Sequence, residues 1–116
     1  MNYAHKKLAE GRWVNLSFLE QMAHIGAEIG RAINWREKDK NKSNASFERG
    51  LELLDLTIED QRNKKRLKEL CRLREMLADY FYFNNMYKST DQQWESYFYP
   101  FAYAAAIGRE NSTPNT

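Results

Sequence analysis

Hydrophobic residues recur at three- and four-residue spacing in four stretches of this chain, which is the pattern of an amphipathic α-helix. In the first stretch, Ser17 and Glu20 form a capping-box pattern, and the hydrophobic spacing runs to about Trp35. Only five glycines and two prolines are present, too few for the frequent turns of an all-β fold. The sequence therefore predicts an all-α protein.

Polar connectors separate the next two stretches. Residues 36–46 (REKDKNKSNAS) predict a solvated loop, and Ser46 is predicted to cap the second helix. Residues 60–64 (DQRNK) predict the next connector, after which a third helix runs to about Asn84 or Tyr87. The predicted inner stripe of this third helix is Leu67, Leu70, Cys71, Leu77, Ala78 and Phe81.

The fourth helix is predicted from a second capping pattern, formed by Ser89 and Gln92. Pro100 lies inside this helix. Because proline removes one helical hydrogen bond, we expect a kink or an interruption there.

Four amphipathic helices with mostly short connectors favour an antiparallel four-helix bundle. Residues 2–10 predict a short extra N-terminal helix, which Gly11 would end. A single helical-bundle domain is predicted at residues 1–107, followed by a disordered C-terminal tail at residues 108–116.

The composition excludes several classes of protein. No apolar run approaches the roughly 20 residues that span a bilayer, and residues 1–10 lack the apolar centre of a signal peptide. We therefore expect a cytoplasmic protein without membrane contact. Cys71 is the only cysteine, which excludes an internal disulfide, and its place on the predicted inner stripe indicates an inert core thiol. A net charge of +2 does not by itself imply nucleic acid.

Eleven of the sixteen aromatic residues lie within residues 80–103. A helix turns one stripe toward its own core, and these rings fall on every side of the predicted helices. Some rings must therefore face water, a ligand or another chain, and four of them are expected to serve both core and contact: Trp94, Tyr97, Phe98 and Phe101. The predicted interface residues are Tyr82, Tyr87, Trp94, Tyr97, Phe98, Tyr99, Phe101 and Tyr103.

Two charged residues interrupt the predicted apolar stripes of the second and third helices. Asp55 falls within a leucine-rich run, and Arg74 follows Leu70 by one helical turn. Because a charge among core positions is costly unless it is paired, we predict that Asp55 and Arg74 form a buried ion pair. A site for an anionic ligand or a metal is the alternative, as is exposure of either residue.

The first helix carries a face of small residues: Ala23, Gly26, Ala27 and Gly30. Glycine costs about 1 kcal/mol relative to alanine inside a helix, so two glycines indicate a packing requirement. We expect another helix or bulky rings to approach this face closely. Room left for a ligand is the alternative.

Four residues share another face of the first helix: Glu20, His24, Glu28 and Arg31. Di-iron bundles use paired Glu-x-x-His units, whereas Glu20 and His24 are four residues apart and occur once. The simpler interpretation is a solvent-exposed helix face whose charged side chains pair with one another. No metal, cofactor or catalytic residue is therefore predicted. The segment from Glu52 to Asp55 resembles one acidic pair of the all-α nucleotide pyrophosphatases, which keeps a metal-dependent nucleotide hydrolase as an alternative.

Seven cations fall within residues 62–74. Such a run can follow a phosphate backbone, and nearby rings can stack on bases. Acidic residues partly neutralise the run, so a solvated helix face is the simpler interpretation. The candidate nucleic-acid-binding residues are Lys64, Lys65, Lys68 and Arg72.

In size and helix order, residues 17–103 resemble the small helical-bundle proteins of the HEPN class, which often partner minimal nucleotidyltransferases. Ribonuclease members of that class carry an arginine followed four to six residues later by a histidine. Neither His5 nor His24 has an arginine in that window. The resemblance therefore implies a non-catalytic member or a pairing subunit.

The leading hypothesis is a non-enzymatic interaction module that forms a homodimer, or pairs with another protein, through its aromatic C-terminal segment. Protein interfaces are enriched in tyrosine, tryptophan, phenylalanine, methionine and arginine, which is the character of this segment. A nucleic-acid-binding or RNA-processing accessory protein is the first alternative, and a metal-dependent nucleotide hydrolase is the second.

Overall fold

The computed structural model describes residues 11–112, with side chains described to residue 108. These residues contain four long helices: α1 (Phe18–Trp35), α2 (Lys40–Glu59), α3 (Leu67–Tyr82) and α4 (Asp91–Ser112). A 3₁₀ helix, Gln61–Arg66, leads from α2 into α3. No strand occurs in these residues, and the predicted all-α helical bundle is confirmed. The helix predicted at residues 2–10 lies outside the described residues, whereas residues 11–13, where Gly11 was expected to end it, are helical.

Neighbouring helices run antiparallel. Near one end of the α1–α2 pair, the Ser43 hydroxyl donates to the Ala32 carbonyl. Near the other end, the Gln21 side-chain amide donates to Asp60. Helix α1 packs between α2 and α4, and α3 packs against α2. Fully buried side chains from three helices form the centre of the core: Met22, Ile25, Ile29, Phe47, Leu54 and Leu77.

Helix α2 begins at Lys40, six residues before Ser46, which was predicted to cap it. Asp39 caps it by accepting hydrogen bonds from the backbone N–H groups of Asn41 and Lys42. The first turns of α2 are polar in sequence and are nevertheless helical. The small side chains of Ser43 and Ser46 face α1 and are buried there. The predicted solvated loop is thus reduced to the turn that precedes Lys40.

The inner stripe of helix α3 is rotated from the predicted one: Leu70 and Leu77 are buried as predicted, whereas Leu67 and Cys71 are exposed. Its buried residues on the core side are Leu70, Leu73, Leu77 and Tyr80. Cys71 is exposed, so the prediction of an inert core thiol is wrong. The prediction failed because helix α3 has a second apolar stripe on another face, formed by Leu67, Cys71 and Ala78. These residues also recur at helical spacing, so the sequence pattern alone does not separate them from the buried stripe.

Helix α4 begins one residue later than predicted. Thr90, rather than Ser89, forms the capping box, since its N–H donates to Gln93 Oε1 and its hydroxyl accepts from the Gln93 N–H. The helix continues through the exposed Pro100, where the prediction was a kink or interruption, and extends to Ser112. Five residues assigned to the predicted tail, 108–112, are therefore helical, and 113–116 lie outside the described residues.

Candidate functional site

The aromatic segment divides into buried and exposed rings. Tyr80, Trp94 and Phe98 are buried in the core, with Trp94 and Phe98 only 5% and 6% exposed. Both are buried in the free chain, Phe98 against Gly26 of α1, and their predicted place at an interface stays a prediction. Phe101 is half-buried, with its ring edge-on to Phe18. The exposed aromatic residues are Tyr82, Phe83, Tyr87, Tyr97, Tyr99 and Tyr103.

The loop between α3 and α4, residues 83–90, is ordered by the buried carboxylate of Asp79. One carboxylate oxygen accepts from the Met86 N–H at 2.9 Å, and the other accepts from the Tyr87 N–H at 3.1 Å. The Asp79 carbonyl accepts from the Phe83 and Asn85 N–H groups, which ends α3 earlier than predicted. Two positive-φ residues then turn the chain, Asn85 at 51° and Lys88 at 54°.

The same loop holds apolar side chains in solvent. Phe83 is 73% exposed and Met86 is 80% exposed, the two highest values among the exposed large hydrophobic residues. Asn85 holds the returning chain, because its side chain donates to the Ser89 carbonyl and accepts from the Ser89 N–H. An ordered loop with exposed apolar residues is typical of a contact surface.

A groove of about 870 Å³ lies between this loop and the outer face of α3, and is called the α3 groove below. Its apolar lining is Cys71, Ala78, Phe83, Met86 and Tyr87. Glu75 is at the same groove, where its carboxylate accepts from the Tyr87 hydroxyl at 3.2 Å. The Glu75 charge, followed by this hydrogen bond, raises the pKa of Tyr87, so the phenol stays neutral and remains a donor.

Asp55 and Arg74 form an ion pair beside the α3 groove. Arg74 Nε lies 2.7 Å from Asp55 Oδ1, across α2 and α3. The two side chains remain 39% and 27% exposed, for Arg74 and Asp55 respectively, so the predicted burial is wrong. The pair lies at the edge of the helix–helix contact because the inner stripe of α3 is rotated away from the predicted one. Because solvent reaches both side chains at this edge, the pair does not form a deeply buried ligand site.

A second groove, of about 240 Å³, lies on the α1–α4 seam. Gly26 is required by close packing, since an added Cβ would lie 2.8 Å from Phe98 Cβ. Gly30 is different, because a Cβ there would meet no atom within 4 Å. The exposed side of this groove carries Tyr99, whose ring stacks on Tyr103 with centroids 6.2 Å apart. Tyr99 thus lines this groove, whereas Phe83 and Tyr87 line the α3 groove, and the two grooves share no lining residue.

A buried polar network at the start of α1 was missed by the sequence analysis. Gln21, which has no exposed surface, donates to the Trp13 carbonyl at 3.0 Å and to Asp60 Oδ2 at 2.9 Å. It accepts from the Asn63 side chain at 2.9 Å, and Asn63 donates in turn to the Thr57 carbonyl. The Trp13 indole N–H donates to the Thr57 hydroxyl. The one available signal was a glutamine four residues before Ile25 on an otherwise apolar stripe.

Arg62 completes this network at the surface. Its guanidinium donates to both carboxylate oxygens of Asp60 and to the Leu16 carbonyl. The hydrogen bond from Arg62 lowers the pKa of Asp60 far below its usual range, against the opposing effect of burial. The hydrogen bonds of this network join parts of the fold to each other. The network therefore links the start of α1, the end of α2 and the 3₁₀ helix.

The candidate nucleic-acid residues Lys64, Lys65, Lys68 and Arg72 are all exposed. The neighbouring cations are engaged elsewhere: Arg62 binds Asp60, and Arg66 lies over the Phe18 ring at 4.2 Å. None of the four candidates forms an ion pair with a carboxylate of the described residues.

The acidic and histidine face of α1 is occupied by contacts within the chain. Glu28 pairs with Arg31 and Arg49, and the His24 ring lies 5.8 Å from the Trp13 ring. Among the described side chains, residues 11–108, no group of three histidine, cysteine or acidic side chains is placed to hold a metal ion. Within residues 11–112, no helix has the length and apolar character needed to cross a membrane.

Comparison with protein-family models, with curated proteins and with solved structures gave no match for this chain.

Proposed function

We propose that this chain is a non-enzymatic interaction module of the cytoplasm, which forms a homodimer or pairs with another protein through its aromatic C-terminal segment. The observation that carries the proposal is the 83–90 loop. Asp79 orders its backbone, while Phe83 and Met86 stay largely in solvent. Covering two such side chains on association contributes about 1.5–3 kcal/mol each, and a preordered loop pays little additional entropy.

The contact residues of the proposal are the exposed ones. They are Tyr82, Phe83, Met86, Tyr87, Tyr97, Tyr99 and Tyr103. A pairing role would also agree with the resemblance of the helix order to the HEPN class, and that kinship stays a proposal. An exposed thiol at Cys71 suits a reducing compartment, which supports the cytoplasmic part of the proposal.

The test uses a photo-reactive phenylalanine analogue in place of Phe83, introduced in living cells. A matched control carries the analogue at Asn44, which is exposed on α2 and outside both grooves. We expect discrete covalent products from position 83 and a diffuse background from position 44. Light scattering of the purified chain then separates a homodimer from a different protein. Equal labelling at the two positions would overturn the proposal.

A nucleic-acid-binding accessory is the second candidate, favoured by the exposed cations Lys64, Lys65, Lys68 and Arg72. Binding to single-stranded RNA should then weaken steeply as salt is raised, because each phosphate contact releases a counterion. Reversing the charge of Lys65 and Lys68 should weaken it further. Absence of an RNA-dependent shift at low salt would remove this candidate.

A further inference from the structure

The charged side chains that line the α3 groove are unbalanced toward negative. They are Arg74, Glu75 and Asp79. Arg74 is already matched, because its Nε lies 2.7 Å from a carboxylate oxygen of Asp55. Neither Glu75 nor Asp79 forms an ion pair with a cation of the described residues. Two carboxylates therefore face the groove without a cation to balance them.

The carboxylate of Asp79 contributes to this imbalance although its hydrogen bonds are satisfied. The N–H groups of Met86 and Tyr87 each donate to one of its oxygens. A backbone N–H is a neutral donor, so it orders the carboxylate without supplying a positive charge. The negative charge of Asp79 therefore stays beneath the loop and adds to that of Glu75.

The phenol of Tyr87, which lines the groove, responds to the same balance of charge. Glu75 has the largest effect, through its charge and then its hydrogen bond, and raises the pKa of Tyr87. Desolvation and the charge of Asp79 act in the same direction. Arg72 opposes them, but it does not line the groove, and the pKa of Tyr87 stays raised. A further negative charge is thus disfavoured at this place, whereas a positive one is favoured.

Glu75 presents an acceptor for such a positive group. Its carboxylate is exposed, and the Tyr87 hydroxyl restrains it by donating to Oε1 at 3.2 Å. The second oxygen, Oε2, takes no hydrogen bond from the described residues. The rings of Phe83 and Tyr87 line the same groove, and the faces of aromatic rings attract cations. A basic side chain fits this combination, since its aliphatic stem packs on apolar surface while its head reaches the carboxylate.

We propose that the α3 groove binds a segment of a partner protein in which a basic side chain is flanked by apolar ones. This inference rests on the proposed interaction function and adds the kind of partner. The basic side chain donates to Glu75, and its apolar neighbours pack on Ala78, Phe83 and Met86. The groove volume of about 870 Å³ lies within the roughly 300–1,000 Å³ of ligand pockets, so one side chain alone does not fill it.

Nucleic acid is disfavoured in this groove by the same charges. The carboxylates of Glu75 and Asp79 repel phosphate. A basic protein segment gains from these two charges, because opposite charges across an interface favour the correct partner and suppress the wrong one.

A second copy of the chain is a less suitable occupant than a different protein. It would have to present its exposed basic and apolar residues at the start of α3, which are Lys64, Lys65 and Leu67. These residues lie at the opposite end of α3 from the 83–90 loop, so the two contacting surfaces would differ. Such a head-to-tail contact continues into an open filament unless the rotation closes a ring.

The test is a selection of displayed peptides on the purified full chain. Every position of the library varies among arginine, lysine, glutamate, glutamine, leucine and tryptophan, so that the charge of the ligand is not imposed. We expect the enriched peptides to carry arginine or lysine beside leucine or tryptophan, and the same selection on the Glu75→Arg protein to lose them. Enrichment of acidic or uncharged peptides, no enrichment, or the same basic peptides on both targets overturns the inference.

Glu75→Gln removes the charge at nearly constant shape, because the glutamine oxygen still accepts from the Tyr87 hydroxyl. It should weaken binding of an enriched peptide about tenfold, as expected for the loss of a charge-assisted hydrogen bond. The matched control is Glu69→Gln, an exposed carboxylate of the same helix that lies outside the groove and acts on Tyr97 of α4. Equal losses in the two variants contradict the proposed site. Circular dichroism confirms that each variant is folded.

Cys71 provides a second measurement, because it is the only thiol of the chain and lines the groove. Bound peptide should slow its reaction with a thiol reagent in proportion to the fraction bound. An unprotected Cys71 in the complex overturns the site, as does displacement of the peptide by single-stranded RNA or by self-association of the chain. If these tests fail while the Phe83 cross-links persist, the interaction function stands and the basic segment is the wrong partner.

Discussion

At the end of the bundle where α1 begins, Gln21 and Asn63 are buried, and the polar atoms of Gln21 are held by hydrogen bonds within the chain. At the opposite end, where α3 finishes, Phe83 and Met86 are apolar and remain in solvent. Both ends are ordered by a buried carboxylate, Asp60 in the first and Asp79 in the second.

The difference lies in what each carboxylate holds. Asp60 accepts from the side chains of Gln21 and Arg62, so it joins separate helices to one another. Asp79 accepts from the backbone of the loop that follows its own helix, which shapes the loop and leaves its side chains outside. The first arrangement contributes to folding stability, whereas the second presents a surface. The two ends should therefore respond differently to substitution.

The largest effect is expected at the polar end. Gln21→Ala removes three hydrogen bonds and leaves buried partners unsatisfied, which should lower the free energy of unfolding by about 2–4 kcal/mol. Urea denaturation measures the change. Gln92→Ala, at an exposed position in the first turn of α4, is the control and should stay within about 0.5 kcal/mol of the parent. A similarly small loss for Gln21→Ala would show that the network adds no stability.

Between the two ends, the glycines of α1 provide a matched pair. Gly26→Ala should destabilise the chain by about 1–3 kcal/mol, because the new Cβ collides with Phe98 and α4 must move. Gly30→Ala should stabilise it by up to about 1 kcal/mol, since its Cβ meets open space and alanine favours helix. Thermal unfolding of both variants checks the prediction. Equal changes for the two would contradict the close α1–α4 contact.

The pH dependence of stability tests the Asp60 carboxylate. Its pKa is lowered in the folded chain, so the unfolded chain binds a proton first as the pH falls. The contribution is present in full well above about pH 4, the usual pKa of an aspartate, and is lost progressively below it. The difference in unfolding free energy between the parent and Asp60→Asn should therefore shrink as the pH falls from about 5 to about 2. A constant difference would argue against the lowered pKa.

The smallest effect on stability is expected at the apolar end. Phe83→Ser and Met86→Ser should each change the free energy of unfolding by less than about 0.5 kcal/mol, because neither side chain is packed in the free chain. The same substitutions should weaken association through the α3 groove. A large loss of stability in either variant would mean that these residues support the fold rather than present a surface.

The comparison also shows what sequence patterns can and cannot reach. The helix α1 and its capping box at Ser17 are predicted from the sequence because both depend on residues within a few positions of each other. The start of α2 is not predicted from the sequence, because serines such as Ser43 and Ser46 are typical of loops. Their burial against α1 is a property of the folded chain. The contact of Asp55 with Arg74 is predicted from the sequence, because the two residues lie on helices that are neighbours in the chain. The exposure of the two side chains depends on the rotation of α3 about its axis.

The candidate site is predicted in part. An excess of aromatic residues over what one core can bury indicates a contact surface from composition and periodicity alone. Which rings are exposed depends on the fold, as Trp94 and Phe98 face inward while Phe83 and Tyr99 face outward. Apart from Gln21 on an otherwise apolar stripe, no pattern indicates the polar network, because the partners of Gln21 near Thr57 and Asn63 are far from it in the chain.

The sequence by itself determined that the chain is all-α, since helical periodicity and capping are local properties that each segment carries. Tertiary structure decided the rotation of each helix about its own axis, and with it the side on which every side chain lies. In α3 that rotation buries Leu73 and exposes Cys71, two residues apart. Two stripes of similar hydrophobicity compete for the core in this helix, and only packing against α2 and α4 chooses between them.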